Sequence, residues 1–174
     1  MTMLSRVLTG SEPPSQVISL FPDYKPHAGQ LALHTSRAKT RVVTAAIRSG
    51  KTHGVMHDIL LRAANLQQGG VLCVAPNYKM IKEILEEPCT QLAQDSGLFG
   101  YRNKQDNILV LKNGCRIYFR SGEKPDSIRG LTIHESYIDE ACQNTREVYD
   151  VVMGRMITTN GNICLISSPK GRGN

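Results

Sequence analysis

No run of apolar residues in this chain approaches the roughly 18 needed to cross a bilayer as a helix. The N-terminus also lacks the apolar stretch that follows the charge of a signal peptide. The expectation is a cytosolic chain. The five cysteines, at 73, 89, 115, 142 and 164, form no Cys-x-x-Cys pair and are odd in number. That argues against a zinc site and for reduced thiols. Cys73 and Cys164 lie in apolar, strand-like runs and are expected as buried small hydrophobes. His53 and His57 are four residues apart, but no His-Glu-x-x-His pattern and no third ligand accompanies them. Helix surface or packing is the expectation there. Internal repeats, low-complexity segments and charged tails are also missing. The formal net charge of +6 is spread along the chain, and with a pI near 9.2 it weakly favours a polyanionic partner.

What is present suits one globular domain. The chain has 174 residues, 40% hydrophobic and 21% charged, enough to bury a core. Residues 1–26 hold four of the eight prolines and little periodicity, and read as an extended arm ahead of a domain over 27–174. A short helix is expected over 27–36, then a β-branched strand over 40–46. Helical spacing of Val55, Ile59, Leu60 and Ala63 predicts a helix over 51–67, ended by Gly69 and Gly70. A buried strand is expected over 71–75, and an amphipathic helix over 79–94 that Pro88 should kink or break. Strands over 107–111 and 115–120 flank Asn113-Gly114, a hairpin signal. A polar loop over 121–130, a strand over 135–139, a helix over 141–156 and a strand over 162–167 complete the reading. Strands alternating with helices predict an α/β domain with a mainly parallel sheet flanked by helices and an antiparallel hairpin at its edge.

Two motifs carry the chemistry. Residues 45–52 read Ala-Ala-Ile-Arg-Ser-Gly-Lys-Thr, a phosphate-binding loop between a strand and a helix. Backbone N–H groups of Ala46, Ile47, Arg48, Ser49 and Gly50 would face phosphates at the positive end of the following helix. Lys51 would reach the β- and γ-phosphates of ATP, and the Thr52 hydroxyl would ligate Mg2+. The full pattern has glycine where Ala45 stands, and alanine disfavours positive φ. Arg48 could turn toward the γ-phosphate or face a neighbouring subunit, or remain a solvated loop charge. The second motif, Ser-Tyr-Ile-Asp-Glu-Ala at 136–141, ends a strand in two carboxylates. Asp139 would hold Mg2+ through water, and Glu140 would polarise the attacking water. Weaker signals are the strand end at Ser167 and Ser168, Arg129 beside Gly130 in a polar loop, and Gln30, whose amide can read an adenine edge.

The order of these pieces resembles the ATPase domain of the large terminase subunit of tailed bacteriophages. It is carried by Gln30, Ala-Ile-Arg-Ser-Gly-Lys-Thr at 46–52, Val-Ala-Pro-Asn at 74–77, Ser-Ile-Arg-Gly at 127–130, Tyr-Ile-Asp-Glu-Ala at 137–141 and Ser-Ser-Pro-Lys-Gly at 167–171. The resemblance implies an ASCE-type P-loop NTPase fold and a motor that packages double-stranded DNA into a procapsid. It implies that Gln30 recognises adenine, that Ser167 and Ser168 couple hydrolysis to motion, and that Arg129 acts on a neighbour's ATP. It implies a homo-oligomeric ring, a portal protein and a small terminase subunit as partners, and the host cytoplasm as location. Family members carry an arginine in the loop four residues before the lysine, where this chain has Ile47, with Arg48 one later. They also continue into an RNase H-like nuclease domain. This chain ends three residues after Gly171, so no nuclease activity is expected of it.

Two other readings stay open on sequence. One is a helicase-like or restriction-type DNA translocase, although those commonly place histidine where Cys142 stands. The other is a non-hydrolysing nucleotide- or DNA-binding assembly module, which Ala45 and the short length favour.

Overall fold

The computed structural model describes residues 19–46 and 48–169. Along the chain come helix α1 (Ala28–Thr35), strand β1 (Thr40–Thr44), helix α2 (Lys51–Asn65) and strand β2 (Gly70–Ala75). A long helix, α3, spans 78–95. Strands β3 (Phe99–Asn103), β4 (Ile108–Leu111), β5 (Arg116–Ser121) and β6 (Glu135–Ile138) follow, then helix α4 (Arg146–Thr159) and strand β7 (Asn162–Ser167). The strands make one seven-stranded sheet in the order β1-β7-β6-β2-β5-β4-β3. The pairs from β1 through β5 are parallel, and β5-β4 and β4-β3 are antiparallel.

Strand β2, inside the parallel part of the sheet, is apolar because both its faces are covered. All of β2 is buried. Val71, Cys73 and Ala75 join Val55, Ile59, Leu60, Ile81 and Leu85 of α2 and α3 in one core. Leu72 and Val74 point the other way, onto Ile138, Val148, Val152 and Met156 in a second core under α4. Cys73 and Cys164 are buried as expected, and all five cysteines are free.

The structure departs from the sequence reading in four places. The helix around Pro88 is not broken. A π-turn over Ile81–Glu86 precedes the segment Glu87–Asp95, and the Glu87 N–H donates five residues back, to Lys82 O. Widening the turn relieves the clash a proline ring makes with the preceding turn. Strand β3 extends the predicted hairpin by one more antiparallel partner. The loop at 121–130 contains a 3-10 turn, Pro125–Ile128, whose Ile128 is fully buried. The helix expected over 141–156 is instead a 3-10 turn, Ala141–Gln143, followed by α4 from Arg146. Of the predicted arm, residues 1–18 lie outside the described residues. Further along it, Phe21 is buried against His57, and Tyr24 stacks on the His57 ring at 3.7 Å.

His57 is therefore a packed histidine, and among the described residues no cluster suited to a metal includes it. Burial pushes its pKa from 6.5 down to about 4; the hydrogen bond from Nδ1–H to His53 O opposes this, and nearby His53 and His34 reinforce it. Between those two values the unfolded chain binds the extra proton, so stability falls as pH is lowered from 6.5 toward 4. Urea unfolding at neutral and mildly acidic pH should show a loss on the order of 2 kcal/mol from this group. The loss should be absent in His57→Phe.

A polar cluster lies between β1, β6 and α2. Arg41 donates to Asp58 Oδ2 at 2.6 Å and to Glu135 Oε2 at 2.9 Å. Arg62 Nε and the Tyr137 hydroxyl also donate to Asp58 Oδ2, at 3.0 and 2.7 Å, and His34 Nδ1 lies 3.1 Å from Oδ1. Burial alone would push the Asp58 carboxyl up, but His34, Arg41, Arg62 and Tyr137 hold it below the usual carboxylate range. At Glu135 burial wins over Asn162, Arg62 and Arg41, and the pKa rises.

Candidate functional site

Strands β1, β7 and β6 are neighbours and parallel, so their C-terminal ends sit side by side. In α/β sheets this edge is where ligands bind. The loop after β1, Asp139-Glu140 after β6 and Ser168-Pro169 after β7 converge there. A cleft of about 750 Å³ is lined by Ala46, Arg48, Gly50, Lys51, Thr52, His53, Glu140, Gln143, Ser168 and Pro169.

Gly50 has φ 75 and caps α2 with no side-chain hydrogen bond, which leaves the first N–H groups of a 15-residue helix without a side-chain cap. Among the described residues of the loop, Arg48, at φ 66, and Gly50 are left-handed. Ala45 is not among the residues with positive φ, so alanine there carries none of the strain expected from its departure from glycine. Ile47 lies outside the described residues.

Helix α1 braces the loop from behind. His27 Nδ1 accepts from the Gly29 N–H at 3.1 Å, so Nε2 carries the proton and donates to Ser49 O at 3.1 Å. Gln30 Oε1 accepts from the His27 N–H at 3.1 Å, and Nε2 donates to Gly50 O at 2.9 Å. Gln30 is buried, and it packs so closely on α2 that a Cβ at Gly54 would lie 2.7 Å from its Cγ. Glycine at 54 keeps that brace in place.

Across the cleft, Lys51, Ser168 and Glu140 form one chain of contacts. The Lys51 ammonium donates to the Ser168 hydroxyl and lies 4.0 Å from Glu140 Oε1. The Ser168 hydroxyl donates to Glu140 Oε1 at 2.9 Å, and the Ser168 N–H to Oε2 at 3.4 Å. Glu140 itself is left-handed, at φ 43 and ψ 52. That conformation costs a residue with a Cβ about 1–2 kcal/mol. It is held by Asn144, whose Nδ2 donates to Asp139 O at 2.9 Å and Glu140 O at 3.4 Å.

Asp139 is buried and makes no ion pair among the described residues. Burial raises its pKa, Glu140 adds to the rise, and the Glu140 N–H and Lys51 oppose it. A buried carboxylate with no ion pair among the described residues, near a cleft lined by Thr52, offers with that hydroxyl hard-oxygen donors of the kind Mg2+ takes. The residues present fit that ion. Ser167, the neighbour of Ser168, has a buried hydroxyl with no hydrogen-bond partner among the described residues.

Arg129 is not in the cleft. It follows the 3-10 turn at Pro125–Ile128, pairs with Asp126 at 2.7 Å, and is 61% exposed. Sequence reasoning missed His27, His53, Gln143 and Asn144. The last two lie three and four residues after Glu140, but assigning them to a helix hid their role in a turn.

Comparisons with known proteins bear on the family and the fold. A family model described as "Terminase large subunit, T4likevirus-type, N-terminal" matches residues 42–174. The large terminase subunit of Thermus phage G20c is 28% identical over 169 residues, and that of Thermus virus P23-45 is 29% identical over 169. Each match covers 85% of this chain and 34% of the relative, so the chain spans about a third of their length. The solved ATPase domain of the Thermus phage P74-26 large terminase superposes with a TM-score of 0.76 at 23% identity, over 93% of this chain and 72% of that one. The large terminase of another thermophilic bacteriophage, solved in complex with ATP-γ-S, gives 0.68 at 14% identity, over 80% and 37%. These structures carry the fold, and the family match carries the kinship: the chain belongs to the large terminase subunit family, in the N-terminal part that its T4likevirus-type model describes.

Proposed function

We propose that this chain is an ATP-hydrolysing motor domain that drives double-stranded DNA into a procapsid. The observation that carries the reading is Glu140, a carboxylate turned by a left-handed backbone into the cleft that also holds Lys51 and Thr52. Water attacks the γ-phosphate in line, and Glu140 orients it and takes its proton. Lys51 and the N–H groups at the start of α2 offset the charge that develops on the phosphate oxygens. Thr52 and Asp139 would hold Mg2+, which when bound neutralises charge on the β- and γ-phosphates. Gln30, Tyr24 and His53 line a further cavity of about 390 Å³, and His53 also borders the cleft. The adenine ring is assigned to that side, with Gln30 at its edge.

The Lys51 ammonium, which has three N–H donors, holds the Ser168 hydroxyl and is also the group assigned to the γ-phosphate, so gain and loss of that phosphate would alter its contact with Ser168. Because Ser167 ends β7 and Ser168 follows it, this contact is the step assigned to coupling. Arg129, exposed and outside its own cleft, is assigned to a neighbour's ATP in a homo-oligomeric ring. Arg48 is exposed at the cleft rim and is assigned to charge stabilisation there. DNA contact is to the backbone, salt-sensitive and indifferent to sequence. A portal protein and a small terminase subunit are the assigned partners, and the host cytoplasm the location. Among the described residues no helix is long and apolar enough to cross a membrane.

The test of the shared site is ATP turnover against protein concentration. Specific activity should climb with concentration and lose that climb in Arg129→Ala. A specific activity that stays constant while well above background would remove the neighbour's arginine from the mechanism.

A further inference from the structure

We infer that Gln143 is a positioning residue for Glu140, fixing the rotation of its carboxylate toward the attacking water. The inference rests on the reading of Glu140 as the group that orients that water. Gln143 ends the 3-10 turn that follows Glu140, and its backbone N–H donates to Glu140 O at 2.7 Å. Its side chain turns back into the cleft, where Nε2 donates to Glu140 Oε2 at 3.4 Å.

The two carboxylate oxygens are held differently. Oε1 has the Ser168 hydroxyl at 2.9 Å and Lys51 at 4.0 Å. Oε2 has the Ser168 N–H and the Gln143 amide, each at 3.4 Å. The terminal torsion of a glutamate is broad and nearly two-fold, so it settles only when donors act from both sides. Ser168 reaches both oxygens, but from the end of β7, a separate segment. Gln143 reaches Oε2 from the turn that follows Glu140 itself, so its contact does not depend on how the end of β7 sits. Long contacts of this kind tighten when substrate is in place.

The residue type fits the task. A neutral amide donates without neutralising Glu140, whereas a lysine would pair with the carboxylate and a glutamate would repel it. Gln143 is exposed on a short turn, so its replacement leaves the core intact. Neighbouring Asn144 acts on the backbone of the same turn, which separates the two roles.

The experiment measures steady-state ATP hydrolysis by the wild-type protein, Gln143→Leu, Gln143→Asn and Glu140→Gln, with affinity for a fluorescent ATP analogue measured in parallel. Gln143→Leu should lower kcat about tenfold, as for loss of one hydrogen bond to a charged group, with KM and analogue affinity within twofold. Gln143→Asn should recover part of that loss. Unchanged kcat in Gln143→Leu, or a fall in affinity that accounts for the whole defect, would overturn the inference while Glu140→Gln remained inactive. Turnover surviving in Glu140→Gln, or missing in the wild type, would instead overturn the underlying reading.

Discussion

Glu140→Gln should abolish turnover while ATP still binds. The substitution keeps the shape of the side chain and its place beside Ser168 and Gln143 but removes the negative charge that takes the water's proton. General-base catalysis of this type contributes about 10²–10⁴-fold, so kcat should fall by that factor. Lys51, Thr52 and Gly50 are untouched, and affinity for a fluorescent ATP analogue should stay within a few-fold of wild type. Such a split assigns Glu140 to the chemical step and not to binding. If affinity and turnover fell together, Glu140 would be a structural partner of Lys51 and Ser168 and nothing more.

Arg41→Ala should cost about 3–5 kcal/mol of stability, the penalty of breaking a buried charge pair by removing one partner. Arg41 is only 4% exposed, and the carboxylates it serves, Asp58 and Glu135, are 0% and 5% exposed. Arg62 reaches both, at 3.0 and 3.8 Å, but one guanidinium cannot replace two. The stranded charge would protonate or drag water inward. Arg41→Ala together with Asp58→Asn should be less destabilised than the sum of the single changes, because the unpaired charge goes with its partner. Urea unfolding of the three variants measures this directly. A loss under about 1 kcal/mol in Arg41→Ala would mean that Arg62 and solvent carry the cluster.

Local pattern and long-range packing differ in how far they can be read from sequence. Strands β2 and β7 are apolar runs bounded by turn residues, and the pattern of β2, buried throughout, follows from burial on both faces. Asn113-Gly114 announces the hairpin turn, where Gly114 takes φ 82. Nothing announces strand β3. Its Phe-Gly-Tyr-Arg-Asn sequence is a half-exposed edge with a glycine inside it, held by pairing to β4 and not by its own pattern. Arg41, Asp58 and Glu135 look like surface charges in sequence, and only the packing of three separate elements makes them a core. The site divides in the same way. The loop and the Asp-Glu pair are local signals tied to local geometry. The Ser168 bridge joins residues 117 positions apart, and the turn that aims Gln143 depends on Asn144 holding the backbone at 139 and 140 before α4 begins.

The most direct test of the account is phosphate release by the purified protein at saturating ATP, with and without Mg2+, across a range of protein concentrations. The account predicts Mg2+-dependent release that continues over many turnovers. ATP bound with ordinary affinity but never hydrolysed, at any concentration and in the presence of Mg2+, would contradict it and leave a nucleotide-binding assembly module in place of a motor.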